Sequence, residues 1–274
     1  MKIIDSFIFY NELDMLKYRL SILNEHVDYF VLVESTHSFS GNLKELFYYN
    51  NKDMFKDFND KIIHVVVDNL PFKKPNINIS RNDQWKNEAF QRNSIKSGMD
   101  RIAFSNEDII LTSDLDEITN PEILKKLKNN ELQYNTNGLN RLALDMYYYN
   151  LNTLVGKQCW HGIKLFNFKT YKNLKLSFEE MRTYEWRNHV NIIENGGWHL
   201  SYFGDIKFIQ NKIQNFSHQE FNNEVYNSES NIEKNINNQT NIFDKNKQLI
   251  NIPTKDNNNL PPGYDKYLKK YYIE

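Results

Sequence analysis

Two aspartates one residue apart, Asp114 and Asp116, follow directly on the apolar run Ile109, Ile110 and Leu111. A short Val/Ile/Leu run reads as a buried strand, and in open α/β sheets ligands gather just beyond the carboxyl ends of such strands. Carboxylates at that place suit a hard divalent cation, which keeps positions open for phosphate oxygens when only one or two carboxylates hold it. A sugar-nucleotide transferase needs that arrangement, because its leaving group is a diphosphate. Taken alone, Asp-x-Asp equally describes an acidic turn that caps the next helix.

The elements that must position these carboxylates can be read from periodicity. Residues 3–10 form an expected first strand. Asn11 reads as an N-cap, with Glu12 and Asp14 in the first helical turn, where acidic side chains oppose the dipole. Leu13, Leu16, Leu20 and Leu23 then mark one apolar helical face that ends near Asn24. Strands are predicted at 27–34, 62–67 and 109–112, with a helix over 83–98 before the last of them. Three of the four strands end on an acidic residue, the pattern of a doubly wound sheet with its ligand at one edge.

The second half is less regular. Pro121 opens a short helix, strands are expected at 139–150 and 162–171, and an amphipathic helix over 205–216. In the first of these strands, alternation puts Tyr147 and Tyr149 on one face and Tyr148 on the other. Residues 222–259 are dominated by Asn, Lys, Ser and Gln, a composition that predicts a mobile loop. The whole reads as one domain. Residues 1–120 form its nucleotide-binding half, 121–221 the half that completes the acceptor and metal sites, and 260–274 a C-terminal helix.

Composition narrows the class. At 274 residues and 40% hydrophobic, the chain can bury a full core. Its net charge of −1 provides no basic field for nucleic acid. Cys159, the sole cysteine, excludes an internal disulfide framework and a cysteine-built zinc site. Charge interrupts the first five residues too early for a signal peptide, and no apolar run approaches the roughly 20 residues that span a bilayer. The expectation is a cytoplasmic protein without a transmembrane segment. Trp160, Trp186 and Trp198 are candidates to stack on sugar rings, set against the commoner role of aromatic rings in a core.

Four segments carry a resemblance. They are Asn11-Glu12-Leu13-Asp14-Met15-Leu16-Lys17-Tyr18-Arg19, Val27-Asp28-Tyr29-Phe30-Val31-Leu32-Val33-Glu34-Ser35, Ser113-Asp114-Leu115-Asp116-Glu117-Ile118 and Gly197-Trp198-His199-Leu200-Ser201. Together they resemble glycosyltransferase family 17, the family of the bisecting β-1,4-N-acetylglucosaminyltransferase of N-glycans. The likeness extends over most of the chain and fades across 222–259. It implies a GT-A-like, Rossmann-like α/β fold with a mixed, mostly parallel sheet flanked by helices. It also implies an inverting mechanism dependent on Mn²⁺ or Mg²⁺, a UDP-sugar donor with UDP-N-acetylglucosamine (UDP-GlcNAc) foremost, and a glycan or glycolipid hydroxyl as acceptor. The animal members carry an N-terminal anchor and stem that this sequence is expected to lack, which turns the expected acceptor away from Golgi N-glycans.

Within that frame each candidate has a role. Asp116 is the first choice for direct metal contact, and Asp114 for the ribose or for the metal through water. The resemblance makes His199 the third ligand. Glu12 and Glu34 follow the first two strands and are expected to reach the uridine, although a helix-turn carboxylate and a strand-end charge explain them equally. Arg92 and Asn93 precede the metal strand on their helix, where the fork of an arginine suits phosphate or base oxygens. Lys212 is expected to meet the diphosphate, while Trp198, His218 and Glu220 cover acceptor or donor. An inverting transfer needs a general base for the acceptor hydroxyl. Glu117 is the first candidate, with Glu220 and Glu185 as rivals. Two other readings share the motif: hydrolysis of the sugar nucleotide, and a non-catalytic sugar-nucleotide or carbohydrate-binding protein.

Overall fold

The computed structural model describes residues 1–184 and 190–272, with the side chains of 245–247 outside that description. Glu185 and Trp186 therefore lie outside the described residues. All seven residues of the first strand, β1 (Ile3–Phe9), are buried. It pairs in parallel with β2 (Tyr29–Ser35) on one side and β4 (Ile109–Asp114) on the other, and β2 pairs in parallel with β3 (Ile62–Val67). The order β4-β1-β2-β3 makes the gap between β1 and β4 the place where the winding reverses, which is where open α/β sheets bind ligands. Ile8 of β1 is in register with Asp114 of β4, so the first aspartate emerges level with the end of β1.

The first helix of this half forms where apolar spacing predicts it. Leu13–Leu23 buries Leu16, Leu20 and Leu23. Alternation along β1 sends Ile3, Phe7 and Phe9 into one core and Ile4 and Ile8 into the other. Each such fully buried side chain contributes about 1.5–3 kcal/mol. The helix expected over 83–98 is two, Asp83–Asn93 and Ile95–Met99, divided at Ser94.

Five further strands extend the sheet: β5 (Glu117–Thr119), β6 (Asn140–Tyr148), β7 (Thr153–Trp160), β8 (Lys164–Asn167) and β9 (Asn191–Ser201). β8 joins β4 and β6 in antiparallel fashion, while β9 runs parallel to β6 and antiparallel to β5. The result is a mixed sheet whose first half is wholly parallel. The β5–β9 pairing sets Glu117 opposite His199 and Thr119 opposite Gly197. Gly197 has φ +144°, and a Cβ there would stand 2.0 Å from the Ile118 carbonyl oxygen. Only glycine permits that approach, which explains the glycine directly before Trp198.

Four expectations are corrected. The segment 162–171 changes from β8 to the helix Phe168–Leu174, because Asn167 accepts a hydrogen bond from the Thr170 N–H and caps it. The stretch 222–259 is built rather than looped. It holds helices Glu224–Asn227 and Glu229–Asn238 and strands β10 (Thr240–Asn241), β11 (Asp244–Gln248) and β12 (Ile250–Asn251), the last paired with β7. Buried Ile232, Ile242 and Leu249 anchor it to the second half. The expected C-terminal helix is only Tyr264–Tyr267, followed by a 3-10 turn. Tyr149 also breaks the strand alternation: with φ +66° it shares a cluster with Tyr148, whereas Tyr147 belongs to the main core. No helix among the described residues is long and apolar enough to cross a membrane.

Candidate active site

A cleft of about 440 Å³ opens where β1 and β4 end. Tyr10, His37 and Phe39 line one side and Asp114 and Asp116 the floor, with Trp160, Tyr148 and Tyr202 opposite. The loop carrying the aspartates is fixed from beneath by Arg19, which is fully buried. Its guanidinium pairs with Asp5 at 2.5 Å and donates to the Ser113 hydroxyl at 2.7 Å. It also donates to the carbonyls of Asp114, Leu115 and Glu117 at 2.9, 3.0 and 2.9 Å. A planar fork that satisfies successive carbonyls leaves the loop one conformation. The signal for Arg19 was a cation on an apolar helical face opposite an acid, Asp5, in an apolar strand.

Above that support the cleft has two charged poles. At the first, Lys212 donates to Asp116 at 2.8 Å and lies 3.5 Å from Glu12. The other Asp116 oxygen faces His199 Nε2 at 3.6 Å. Burial pushes the Asp116 carboxyl up, but Lys212 and His199 outweigh it and hold it far below the usual carboxylate range. Burial likewise opposes the Lys212 charge, and Asp116 and Glu12 overcome it, so the ammonium stays protonated well above its ordinary value.

At the second pole two guanidiniums bracket Asp114. Arg92 donates to one carboxylate oxygen at 2.6 Å and Arg182 to the other at 2.8 Å. Burial raises the Asp114 carboxyl, yet Arg182 and Arg92 lower it to about 2. Arg92 also holds Glu179 at 2.9 Å and Glu88 at 2.5 Å. Arg182 lies in a two-pronged pair with Glu117, at 2.8 Å for each bond. Arg182, Glu88 and Glu179 carry no motif, and Arg182 and Glu179 sit in a region of irregular periodicity, so the sequence alone did not mark them.

Eight of the expected residues line the cleft: Glu12, Arg92, Asp114, Asp116, His199, Lys212, His218 and the stacking candidate Trp160. His218 packs edge-on against Trp85, ring centres 4.6 Å apart, and pairs with Glu220, which lies outside the lining. Four residues have other tasks. Glu34 is fully buried and accepts from the N–H groups of Tyr48 and Tyr49 and from His64, so it anchors a helix start and does not face the cleft. Asn93 accepts from the Glu179 N–H at 2.9 Å and holds the start of the helix Phe178–Arg182. Trp198 is core, its indole N–H donating to the Asn259 carbonyl at 2.7 Å. Glu117 is fully buried, engaged by Arg182, by the Trp160 indole and by the Asp114 N–H at 2.9 Å. It has no accessible lone pair for an acceptor proton, which removes it as the base.

The donor set can be tested against a divalent cation. Asp116 Oδ1 faces His199 Nε2 at 3.6 Å, while the other ring nitrogen, Nδ1, is buried and has no hydrogen-bond partner among the described residues. Such a carboxylate–imidazole pair fits an ion that takes its remaining ligands from a diphosphate. Asp114 does not fit as a direct ligand, because both its oxygens are held by guanidiniums. Among the described residues no group of three His, Cys, Asp or Glu side chains is placed to form a cage.

Among solved structures, the chain is similar to the inositol-1-phosphate CTP transferase from T. maritima, at 14% identity and a TM-score of 0.36, covering 70% of this chain and 84% of that one. It is also similar to the 4-diphosphocytidyl-2C-methyl-D-erythritol synthase from Anaerococcus prevotii, at 11% identity and a TM-score of 0.33, covering 76% and 93%. No curated protein matches the sequence. The family model of Glycosyltransferase family 17 matches residues 1–248, nearly the whole chain. The protein belongs to glycosyltransferase family 17.

Proposed function

We propose that this glycosyltransferase moves N-acetylglucosamine from UDP-GlcNAc to a hydroxyl of a glycan or glycolipid, with inversion and a β-1,4 linkage, and depends on Mn²⁺ or Mg²⁺. The observation that carries this reading is the first pole: Asp116, His199 and Lys212 converge at the winding reversal of the sheet. A lysine is a compact, mobile point charge, so Lys212 can turn from Asp116 to a phosphate oxygen without leaving the cleft. Asp116 and His199 would hold the cation, which when bound supplies Lewis-acid stabilisation of the departing diphosphate. Aromatic and apolar side chains around the opening, among them Phe39, Trp85 and Phe243, suit the flat face of a base or sugar and exclude water from the reacting centre.

The second pole does different work in this account. Arg92 and Arg182 are consumed by carboxylates, so they shape the floor and hold Asp114 ionised and in place. The test is incubation of the protein with UDP-GlcNAc, Mn²⁺ and a panel of saccharide acceptors, with the product analysed by mass and by anomeric NMR coupling. A β-linked product is the expected result. Release of free N-acetylglucosamine without a glycoside would mark a hydrolase, and a retained α linkage would contradict inversion.

A further inference from the structure

We infer that Glu179 is the general base that takes the proton from the acceptor hydroxyl, an inference that rests on the inverting-transferase reading above. Among the described residues five carboxylates line the cleft: Glu12, Glu88, Asp114, Asp116 and Glu179. Both oxygens are engaged in four of them. Glu12 meets Lys212 and the Asn11 N–H. Glu88 meets Arg92 and the Ser217 hydroxyl. Asp114 meets the two arginines, and Asp116 meets Lys212 and faces His199.

Glu179 differs. Arg92 Nε holds its Oε2 at 2.9 Å, and among the described residues Oε1 has no partner, on a side chain that is 29% exposed. Its backbone is fixed as well. The Glu179 N–H donates to Asn93, and a capping box between Ser177 and Glu180 closes the first turn of its helix. Through Arg92 it is linked to Asp114 and not to Asp116 or Lys212, which sets it apart from the leaving-group pole. A held carboxylate with one accessible oxygen in the cleft, apart from the leaving-group pole, has the chemistry a base needs.

In the step, the acceptor oxygen bonds to the anomeric carbon as its proton passes to Glu179 Oε1. The bond from the anomeric carbon to the phosphate oxygen breaks, and its electron pair leaves on the diphosphate. Glu179 then returns the proton to solvent.

Glu179→Gln keeps the size and the contact with Arg92 and removes the basicity; Glu179→Asp keeps the basicity on a shorter arm. The expected result for Glu179→Gln is a fall in kcat by about 10²–10⁴-fold with UDP affinity unchanged by calorimetry, and partial recovery in Glu179→Asp. Retention of kcat in Glu179→Gln would overturn the inference. A parallel loss of kcat and UDP affinity would also overturn it, since that pattern marks a residue that only positions Arg92. A wild-type protein that binds UDP-GlcNAc yet glycosylates no acceptor would overturn the transferase reading itself. That failure is distinguishable, because there would be no wild-type rate to lose.

Discussion

Asp114 and Asp116 are chemically identical and two positions apart, yet the fold gives them opposite situations. Asp114 is clamped by Arg92 and Arg182, each of which also serves further carboxylates. Asp116 shares one mobile ammonium with Glu12 and faces one imidazole. Planar guanidiniums with several bonds each cannot leave without stranding buried charge, whereas a lysine on a flexible stem can exchange its partner. The difference teaches that the aspartate pair divides its labour. Asp116 is the side that exchanges partners when a diphosphate arrives, and Asp114 is the fixed reference against which it does so.

That division can be broken in graded ways. Asp116→Ala should cost the most in function: transfer falls by about 10³-fold, several kcal/mol of transition-state stabilisation, with a smaller loss of stability because Lys212 keeps Glu12 as a partner. Arg182→Met should cost the most in stability. It strands the buried Glu117 carboxylate beside Asp114, and urea denaturation should show a loss of about 3–5 kcal/mol. Lys212→Met removes one charge-assisted contact to the diphosphate, so calorimetry should show UDP binding weaker by about 10–100-fold with the fold intact.

The smallest effect is one of pH. Asp114 titrates at about 2 in the folded protein, below its ordinary value of 3.8. As pH falls, the unfolded chain takes up this proton first. The stabilisation is therefore complete above the ordinary value and is lost as pH falls towards 2. The urea midpoint should drop between about pH 4 and about pH 2, and Asp114→Asn should flatten that drop.

Legibility in the sequence follows the same line between regular and irregular structure. The parallel half was readable because each strand is a short apolar run and its first helix, Leu13–Leu23, a leucine stripe, and those periods survive burial on both faces. Asp114 and Asp116 were readable because a strand end placed them. Residues 222–259 were misread because three buried aliphatics, Ile232, Ile242 and Leu249, suffice to anchor a segment whose other positions are polar. Glu34 and Glu117 have the right residue type and position along the chain, but local burial and partners took them out of reach of a ligand. Arg182 and Glu179 come from a five-residue helix, Phe178–Arg182, too short for any period to reveal. They join the site only through contacts with Arg92, Asp114 and Glu117, which a linear reading does not contain.

The most direct test of the central claim is calorimetric titration of UDP and UDP-GlcNAc in Mn²⁺ and in chelator, on the wild type, Asp116→Ala and Asp114→Asn. Binding that requires metal, disappears in Asp116→Ala and persists in weakened form in Asp114→Asn is the predicted result. Binding indifferent to metal and equal in both variants would contradict the division between the two poles and the sugar-nucleotide site built on it.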